Sequence, residues 1–393
     1  MQGIEMQGEK KIKIAIVGPS SRFLSGISYY TIRLANALSK EAAVIAILYR
    51  NMLPSRLFPG WKRVGEDLTQ LHFAKRVKVC EILDWYNPIT WFQAAKAASG
   101  ADVILLEWWT SSVAHMCIAI LLLLFKKIPI VIEYHEVLDP LEQSILPVRI
   151  YAKFTSKLLR KWGTHFVVHS VPDKKLICTL FGVPGDNATV IPHGLYDHYK
   201  TIDKDLAQKT LDIEEKHVIL FFGLLRPYKG VKYLVQAFSE LPEQIVSDTR
   251  LLIAGETWED RESVELARCS PYKDKITFIN RYIADEEISF IFSAADVLVI
   301  PYLRASQSGV AHIGMAYGMP IIASLVGGLE ESLSEYEGTV FTTPENLDEL
   351  KMAIIRTIGN GRRYTVPACL RWENIAKNWV TLFGKLVNQD DQI

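Results

Sequence analysis

Cysteine is scarce, with five in 393 residues, at Cys80, Cys117, Cys178, Cys269 and Cys369. They are scattered and show no metal-ligand spacing, which argues against a disulfide framework or a zinc module and reads as reduced thiols in a cytosolic protein. Excess charge of either sign is also missing, since Lys+Arg and Asp+Glu both total 44. That balance disfavours a nucleic-acid binder held by bulk charge while leaving room for local basic patches. No apolar run approaches the roughly 20 residues that span a bilayer. The longest, Met116 to Phe125, is closed by Lys126-Lys127 and reads as a buried helix, with membrane insertion the alternative. The first residues, MQGIEMQGEKK, are polar, so no signal peptide is expected. The sequon Asn187-Ala188-Thr189 is then a chance occurrence. Neither half carries G-x-G-x-x-G after its first strand, which disfavours a nicotinamide-dependent oxidoreductase.

What is present suits two ordinary globular domains: 49% hydrophobic and 22% charged residues over a length that one core does not serve well. Short β-branched runs alternate with helix-length amphipathic segments, the rhythm of βαβ units and parallel sheets. The first half predicts strands at Lys11–Val17, Ala43–Leu48, Val77–Ile82, Val103–Leu106, Ile128–Ile132, His165–His169 and Thr189–Ile191, with a helix over Gly26–Ser39. The second predicts strands at His217–Phe222, Arg250–Ala254, Lys275–Ile279, Val297–Ile300, Pro320–Ala323 and Thr339–Phe341. Its helices fall at Val231–Glu240, Ser263–Cys269, Ala284–Ser293, Gly309–Tyr317 and Asn346–Ile358, and an aromatic-rich helix over Trp372–Val387 closes the chain. The expected division is a first α/β domain over 1–198, a charged linker at 199–215, a second α/β domain over 216–368, and a crossover helix and tail at 369–393. Ligands of such sheets sit at the carboxyl ends of the strands, so two facing halves put the chemistry between them.

Two strand ends of the second half carry anion-binding residues. Gly223-Leu224-Leu225-Arg226-Pro227-Tyr228-Lys229-Gly230 follows the first strand and precedes a helix. Arg226 offers a planar fork for phosphate oxygens and Lys229 a mobile point charge, against the bland reading of two solvated loop cations. Ser306-Gln307-Ser308-Gly309 leads into the helix at Gly309, where a serine is either a plain N-cap or one edge of a phosphate site built from free amides and the positive helix end. Two such sites in one domain point to a diphosphate.

This arrangement resembles the retaining glycosyltransferases of the GT-B fold, family four. The residues that carry the likeness are Gly223, Arg226, Lys229 and Gly230; Ala254-Gly255-Glu256; Phe278 through Asp285 and Ala294-Ala295-Asp296 to Pro301; Ala316 to Glu331; and Arg371 to Ala376. The resemblance implies two facing Rossmann-like domains and a closing helix that crosses back to the first. It implies diphosphate stabilisation by Arg226 and Lys229, and nucleotide contacts at Gly223, Gly255, Tyr282 and Ile283. Donor phosphate and sugar contacts would come from Ser25, Gly26, Ser306, Gln307, Ser308, Gly309 and Glu331. His135, in Tyr134-His135-Glu136, stands where the family has a histidine at the donor sugar, and its bland reading is a structural hydrogen-bonder. His193, in Ile191-Pro192-His193-Gly194, reads as structural or hinge-related. Glu107, Trp108 and Trp109 follow a strand and line either the acceptor cleft or the core. The family's two glutamates eight apart are replaced by Ala305 and Ile313, so ribose recognition must come from elsewhere.

The expected function is metal-independent transfer of a hexose-type sugar from a nucleotide diphosphate donor to a glycan or lipid-linked acceptor, with no cofactor and no nucleic-acid partner. Alternatives of the same fold are a nucleotide-sugar 2-epimerase and a non-catalytic sugar-nucleotide binder. In 149–162, Arg149, Lys153, Lys157 and Lys161 form one i, i+4 row beside Ile150, Phe154, Leu158 and Trp162. That pattern suits a helix packed on the sheet with a solvated basic face, or one lying on an anionic membrane at the inner face.

Overall fold

The computed structural model describes residues 11–23, 26–53, 64, 69, 71–138, 142, 144–305 and 307–390. The first domain holds a seven-stranded sheet of β1 (Lys13–Pro19), β2 (Ala43–Asn51), β3 (Lys78–Asp84), β4 (Val103–Trp108), β5 (Ile130–Tyr134), β6 (His165–Val168) and β7 (Ala188–Val190). The second holds six strands, β8 (His217–Phe222), β9 (Thr249–Ala254), β10 (Ile276–Ile279), β11 (Val297–Ile300), β12 (Ile321–Ser324) and β13 (Thr339–Thr342). The orders are β3-β2-β1-β4-β5-β6-β7 and β10-β9-β8-β11-β12-β13, and every described pairing is parallel. Each sheet therefore reverses direction beside its own first strand, between β1 and β4 and between β8 and β11. Crevices for ligands open at such switch points.

Helices cover both faces of each sheet, which is why β1, β4 and β5 are buried along nearly their whole length instead of alternating. The first domain contributes α1 (Gly26–Leu38), α2 (Pro88–Ala98), α3 (Ala114–Leu122), α4 (Leu146–Arg160) and α5 (Val171–Phe181). The second contributes α6 (Lys204–Thr210), α7 (Val231–Ser239), α8 (Glu243–Val246), α9 (Arg261–Cys269), α10 (Asp285–Ala294), α11 (Gly309–Ala316), α12 (Gly327–Ser334) and α13 (Leu347–Thr357). Local chemistry sets several starts. Asn87, Ser170 and Ser308 each cap a helix by accepting a backbone N–H, and Pro88 and Pro172 supply the fixed φ of a first turn.

Two expectations change. The segment read as a charged linker contains α6, which packs on α10, and Lys204 reaches Asp296 at 2.6 Å, so this stretch belongs to the second domain. The reason is a capping motif inside the charged run, where Asp203 accepts the Leu206 N–H at 3.1 Å. The apolar run at Met116 is only partly buried, because α3 stops at Leu122 and leaves Leu122, Leu123 and Phe125 outside. Among the described residues no helix is long and apolar enough to cross a membrane.

The closing helix, α14 (Trp372–Asp390), returns to the first domain and lies against α1. Ile375, Trp379 and Phe383 are buried with Ile14, Ile16, Leu34 and Leu105, and the Trp372 indole N–H donates to the Leu195 carbonyl at 2.6 Å. The last helix in sequence thus clips the two domains together. Truncating Trp379 to Ala should cost about 3–5 kcal/mol of stability, as for other buried Trp and Phe deletions. Urea unfolding measures it, and a loss under about 1 kcal/mol would mean α14 is not part of the first-domain core.

Candidate functional site

The switch points of the two sheets face one another, and Tyr196 stands between them. Its hydroxyl donates to the Gly26 carbonyl, at the first residue of α1, at 2.8 Å. A methyl group placed on Gly26 would lie 3.0 Å from the Tyr196 oxygen, and one on Gly309 would lie 3.0 Å from the edge of the same ring. The N-terminus of a first-domain helix and the N-terminus of a second-domain helix therefore converge on one tyrosine. The first turn of any helix presents amides without intrahelical partners and a positive partial charge, so two such ends can together hold an anion.

Lys229 adds a full charge. Its Nζ donates to the Tyr302 hydroxyl at 3.3 Å and lies 5.0 Å from that ring's centre. A methyl group on Gly223 would sit 3.2 Å from Nζ and 3.6 Å from the Val310 side chain, so the ammonium lies over the β8 turn beside the first turn of α11. The turn is held tightly. Gly230, at φ +64, has no room for a Cβ because the Pro301 carbonyl oxygen would be 1.9 Å away. Gly255, at φ +148, packs against the Gly223 carbonyl in the same way, at 2.0 Å. Arg226 shares the turn, with the Lys229 N–H donating to its carbonyl at 2.9 Å. Its guanidinium takes a different neighbour, resting 4.8 Å from the Trp258 ring with Nε buried and without a hydrogen-bond partner.

Below the α1 terminus lies a floor of buried polar groups, each at the carboxyl end of its strand. His135 follows β5, His169 follows β6 and His193 follows β7. The rings of His135 and His169 are 4.9 Å apart, those of His169 and His193 5.4 Å, and His193 meets His312 of α11 at 5.2 Å across the interdomain boundary. Tyr30 of α1 packs over His135, His169 and His193 and donates to Glu133. Glu133 is the register partner of Glu107, whose carboxylate accepts from Thr31.

Burial decides the charge state of this floor. It pushes His135 and His193 well below the ordinary histidine range and His169 and His312 down to about 4. It pushes Glu133 up to about 8 and Glu107 well up, the latter also by repulsion from Glu133. His169 Nδ1 lies 2.9 Å from the Ile191 carbonyl, which can only accept, so Nδ1 carries the proton and Nε2 is left as an acceptor. His135 Nδ1, 3.3 Å from that Nε2, is then the donor of the pair, and His135 Nε2 is a buried acceptor without a partner. That lone pair faces the buried Glu133 Oε2 at 3.7 Å, so the ring is neutral and turned into the floor. It is not suited to holding a charge.

The other expected residues fall as follows. Ser308 caps α11 through the Ala311 N–H at 3.3 Å, and Gln307 has a buried side-chain oxygen without a partner. Ser25 and Ser306 lie outside the described residues. Ile283 packs its side chain into the second-domain core, leaving only backbone for a ligand, while Tyr282 sits between β10 and α10. Ala305 gives its carbonyl to Gly328 N–H at 3.2 Å and Ile313 is buried, so neither supplies a substitute for the missing carboxylates. Glu331 departs from its expected place. Both its oxygens accept the Val171 N–H, at 2.9 and 2.8 Å, so its carboxylate ties α12 to the start of α5 across the domains.

Trp108 and Glu107 do not line an open cleft. Trp108 points to the sheet face covered by α2, α3 and α4 and is core, while Glu107 points to the opposite face beneath Gly18. The alternation of a strand buried on both sides sends both inward. Trp109, one residue beyond the strand, is half-buried against Tyr49. His169, His312, Tyr30 and Tyr196 were not singled out from the sequence. His135 follows from the family likeness; His169 holds the equivalent place after the next strand, while nothing local marks His312.

Glu133, His135 and His169 are the one His/Cys/Asp/Glu group among the described residues compact enough to hold a metal ion, with one candidate ligand atom from each within 4.8 Å of the others. Tyr30 donates to one Glu133 oxygen and His135 Nδ1 pairs with His169 Nε2, which makes the group a hydrogen-bond network in which Glu133 Oε2 and His135 Nε2 stay unpartnered. The single Asp-x-Asp run, Asp203-Lys204-Asp205, is not a metal site, because Asp203 caps α6 and Lys204 pairs with Asp296. A recess of about 480 Å³ beside Tyr228 and Arg304 is lined by charges of both signs, including Lys232, Glu259 and Glu262, and excludes Lys229 and the histidines.

A histidine held neutral by burial weakens folding as the pH falls from its unfolded value near 6.5 toward its folded one, because only the unfolded chain takes up the proton. Glu133 acts in the opposite sense, its contribution being lost as pH rises from 4.5 through about 8. Four rings outnumber the two carboxyls. The melting temperature should therefore fall between pH 6.5 and 4, and Glu133→Gln should flatten the decline above pH 7. Calorimetry across this range checks both, and a melting temperature that rose on acidification would contradict the assigned neutral floor.

Residues 203–379 match the family described as Glycosyl transferases group 1, and residues 24–197 match Glycosyltransferase Family 4. An uncharacterized glycosyltransferase of Methanocaldococcus jannaschii is 27% identical over 226 residues, covering 53% of this chain and 57% of that protein. Mannosylfructose-phosphate synthase of Agrobacterium fabrum is 25% identical over 195 residues, 47% of this chain and 42% of that protein. The chain thus spans about half the length of the curated relatives it matches. Among solved structures, sucrose-phosphate synthase from Thermosynechococcus elongatus aligns with a TM-score of 0.64 at 18% identity, over 97% of this chain and 98% of that one. The Anabaena protein HepE, solved in complex with UDP and glucose, aligns with a TM-score of 0.64 at 19% identity, over 97% and 99%. At these identities the structural matches speak for the shared GT-B fold.

Proposed function

The chain belongs to the family-four, group 1 glycosyltransferases of the GT-B fold, and from that premise we propose that it moves a hexose-type sugar from a nucleoside diphosphate donor to a glycan or lipid-linked acceptor, with retention of configuration and without a metal. The observation that carries the reading is the position of Lys229 Nζ over the β8 turn, beside the first turn of α11. A diphosphate there meets one ammonium and the positive ends of two helices. As the glycosidic bond breaks, negative charge grows on the leaving diphosphate. Groups already aimed at that charge lower the barrier because they bind the transition state more strongly than the ground state.

In this reading Arg226 swings or reaches from Trp258 to a second phosphate, and His135 stands beside the donor sugar. Gly223, Gly255 and the backbone at Tyr282 and Ile283 border the nucleotide. The acceptor approaches from the first-domain side, with Trp109 as its aromatic edge and the anionic membrane face as a peripheral seat through 149–162. The replacement of the glutamate pair by Ala305 and Ile313 favours a second reading, a sugar-nucleotide binder that does not catalyse transfer.

Lys229→Ala and Arg226→Ala should each lower turnover at least about tenfold with the melting temperature unchanged. Full activity in both would remove the clamp. Donor breakdown measured with and without a panel of small acceptors separates transfer from epimerisation, which releases a free sugar unaided, and from simple binding, which releases nothing. Activity should persist in EDTA. Loss restored by Mn²⁺ or Zn²⁺ would assign an ion, with Glu133, His135 and His169 as its first candidate ligands.

A further inference from the structure

Three neighbouring helices of the first domain, α2, α3 and α4, pack side by side on one face of the sheet. Their outer sides are unexpectedly apolar. α4 buries Ala152, Thr155 and Leu159, which turns the row containing Ile150 and Phe154 away from the sheet, at 62% and 67% exposed. On α2, Ile89 and Phe92 point outward, and Phe92 meets Phe125 edge to face at 5.9 Å. Leu122 closes the series at the end of α3. These side chains have no core to join, so the helix that reads in sequence as either packed or interfacial is packed through a different row and leaves its large apolar row outside.

The charge pattern on the same face is one-sided. The sequences of α2, α3 and α4 contain no Asp or Glu. Lys96, Lys126, Lys127, Arg149, Lys153, Lys157 and Lys161 are all exposed on or beside them, and none makes an ion pair among the described residues. In a chain whose charges cancel overall, this is a local positive field over an apolar surface. Large apolar side chains framed by lysines match the acyl–headgroup boundary of an anionic bilayer, where long cationic side chains reach headgroup phosphates while the apolar row sinks below them.

The face also has a direction. In parallel α/β units each helix begins where a strand's carboxyl end stops, so the N-termini of α2, α3 and α4 lie at the cleft edge of the domain. The exposed Ile89 is in the first turn of α2, and the exposed Leu146 opens α4. The apolar surface therefore starts at the rim of the interdomain site and runs away from it.

We propose that the α2–α3–α4 face is the seat of this protein on an anionic membrane, placing the interdomain site at the bilayer surface so that the acceptor is a lipid-anchored molecule. The inference deepens the transferase reading and rests on it only for the acceptor; the docking surface stands by itself. Full-length protein is mixed with sedimentable vesicles of phosphatidylcholine alone or blended with phosphatidylglycerol. It should sediment with the blend, remain in the supernatant with phosphatidylcholine, and be released as salt shortens the Debye length. Ile150→Asp/Phe154→Asp and Lys153→Glu/Lys157→Glu/Lys161→Glu should each reduce the bound fraction at least about tenfold. Both sets are exposed, and the thermal shift produced by nucleoside diphosphates should be unchanged in them, which shows that fold and donor site are intact. Absence of vesicle binding, indifference to phosphatidylglycerol, or wild-type binding by both variants would overturn the proposal. So would a lipid-free dimer that Ile150→Asp/Phe154→Asp dissolves, since a second copy would then be the occupant. Vesicle binding without any nucleotide-induced shift would keep the docking surface and sink the transferase reading.

Discussion

Two helix N-termini that face each other across one tyrosine impose a demand on everything around them. The starts of α1 and α11 bring like partial charges together at Tyr196, and Lys229 adds a full positive charge at the β8 turn. Such a place is unfavourable when empty and favourable for an anion. It exists only because several contacts between the domains hold them in register. α14 crosses to the first-domain core, Trp372 bonds the chain at Leu195, Tyr29 donates to Asp285 at 2.6 Å, and Glu331 caps the start of α5. Binding and interdomain geometry are therefore one problem in this molecule.

The floor under that site is chemically different. Charged groups buried there would compete with an incoming diphosphate or distort its field, and burial removes them by neutralising histidines and protonating carboxyls. What remains is a set of neutral donors and acceptors at successive strand ends, the chemistry that reads sugar hydroxyls. Positive charge thus sits at the helix ends and neutral polarity at the strand ends. That separation suits a ligand with a charged half and an uncharged half.

Much of this was legible in the sequence because parallel sheets write themselves as β-branched runs, and strand ends mark where ligands sit. The strands, the Gly223–Gly230 turn and the Ser308 cap follow from local pattern, and His135 from the family likeness. The misses share a physical cause. Trp108 and Glu107 belong to a strand covered on both faces, where period two says nothing about exposure. His312 and Glu331 acquire their partners only when the domains meet. On α4 the large apolar row lies roughly 100–180° round the helix from Ala152, Thr155 and Leu159, and only packing shows that the smaller row takes the sheet and leaves Ile150 and Phe154 outside.

In the proposed donor site the phosphate groups supply the attraction. Isothermal titration of uridine, its monophosphate and its diphosphate, with the guanosine and adenosine series alongside, isolates that contribution within the series whose base is accepted. The diphosphate should bind at least about tenfold more tightly than the nucleoside, and the gap should close in Lys229→Ala. Equal affinity for nucleoside and diphosphate, or a gap untouched by that substitution, would contradict it.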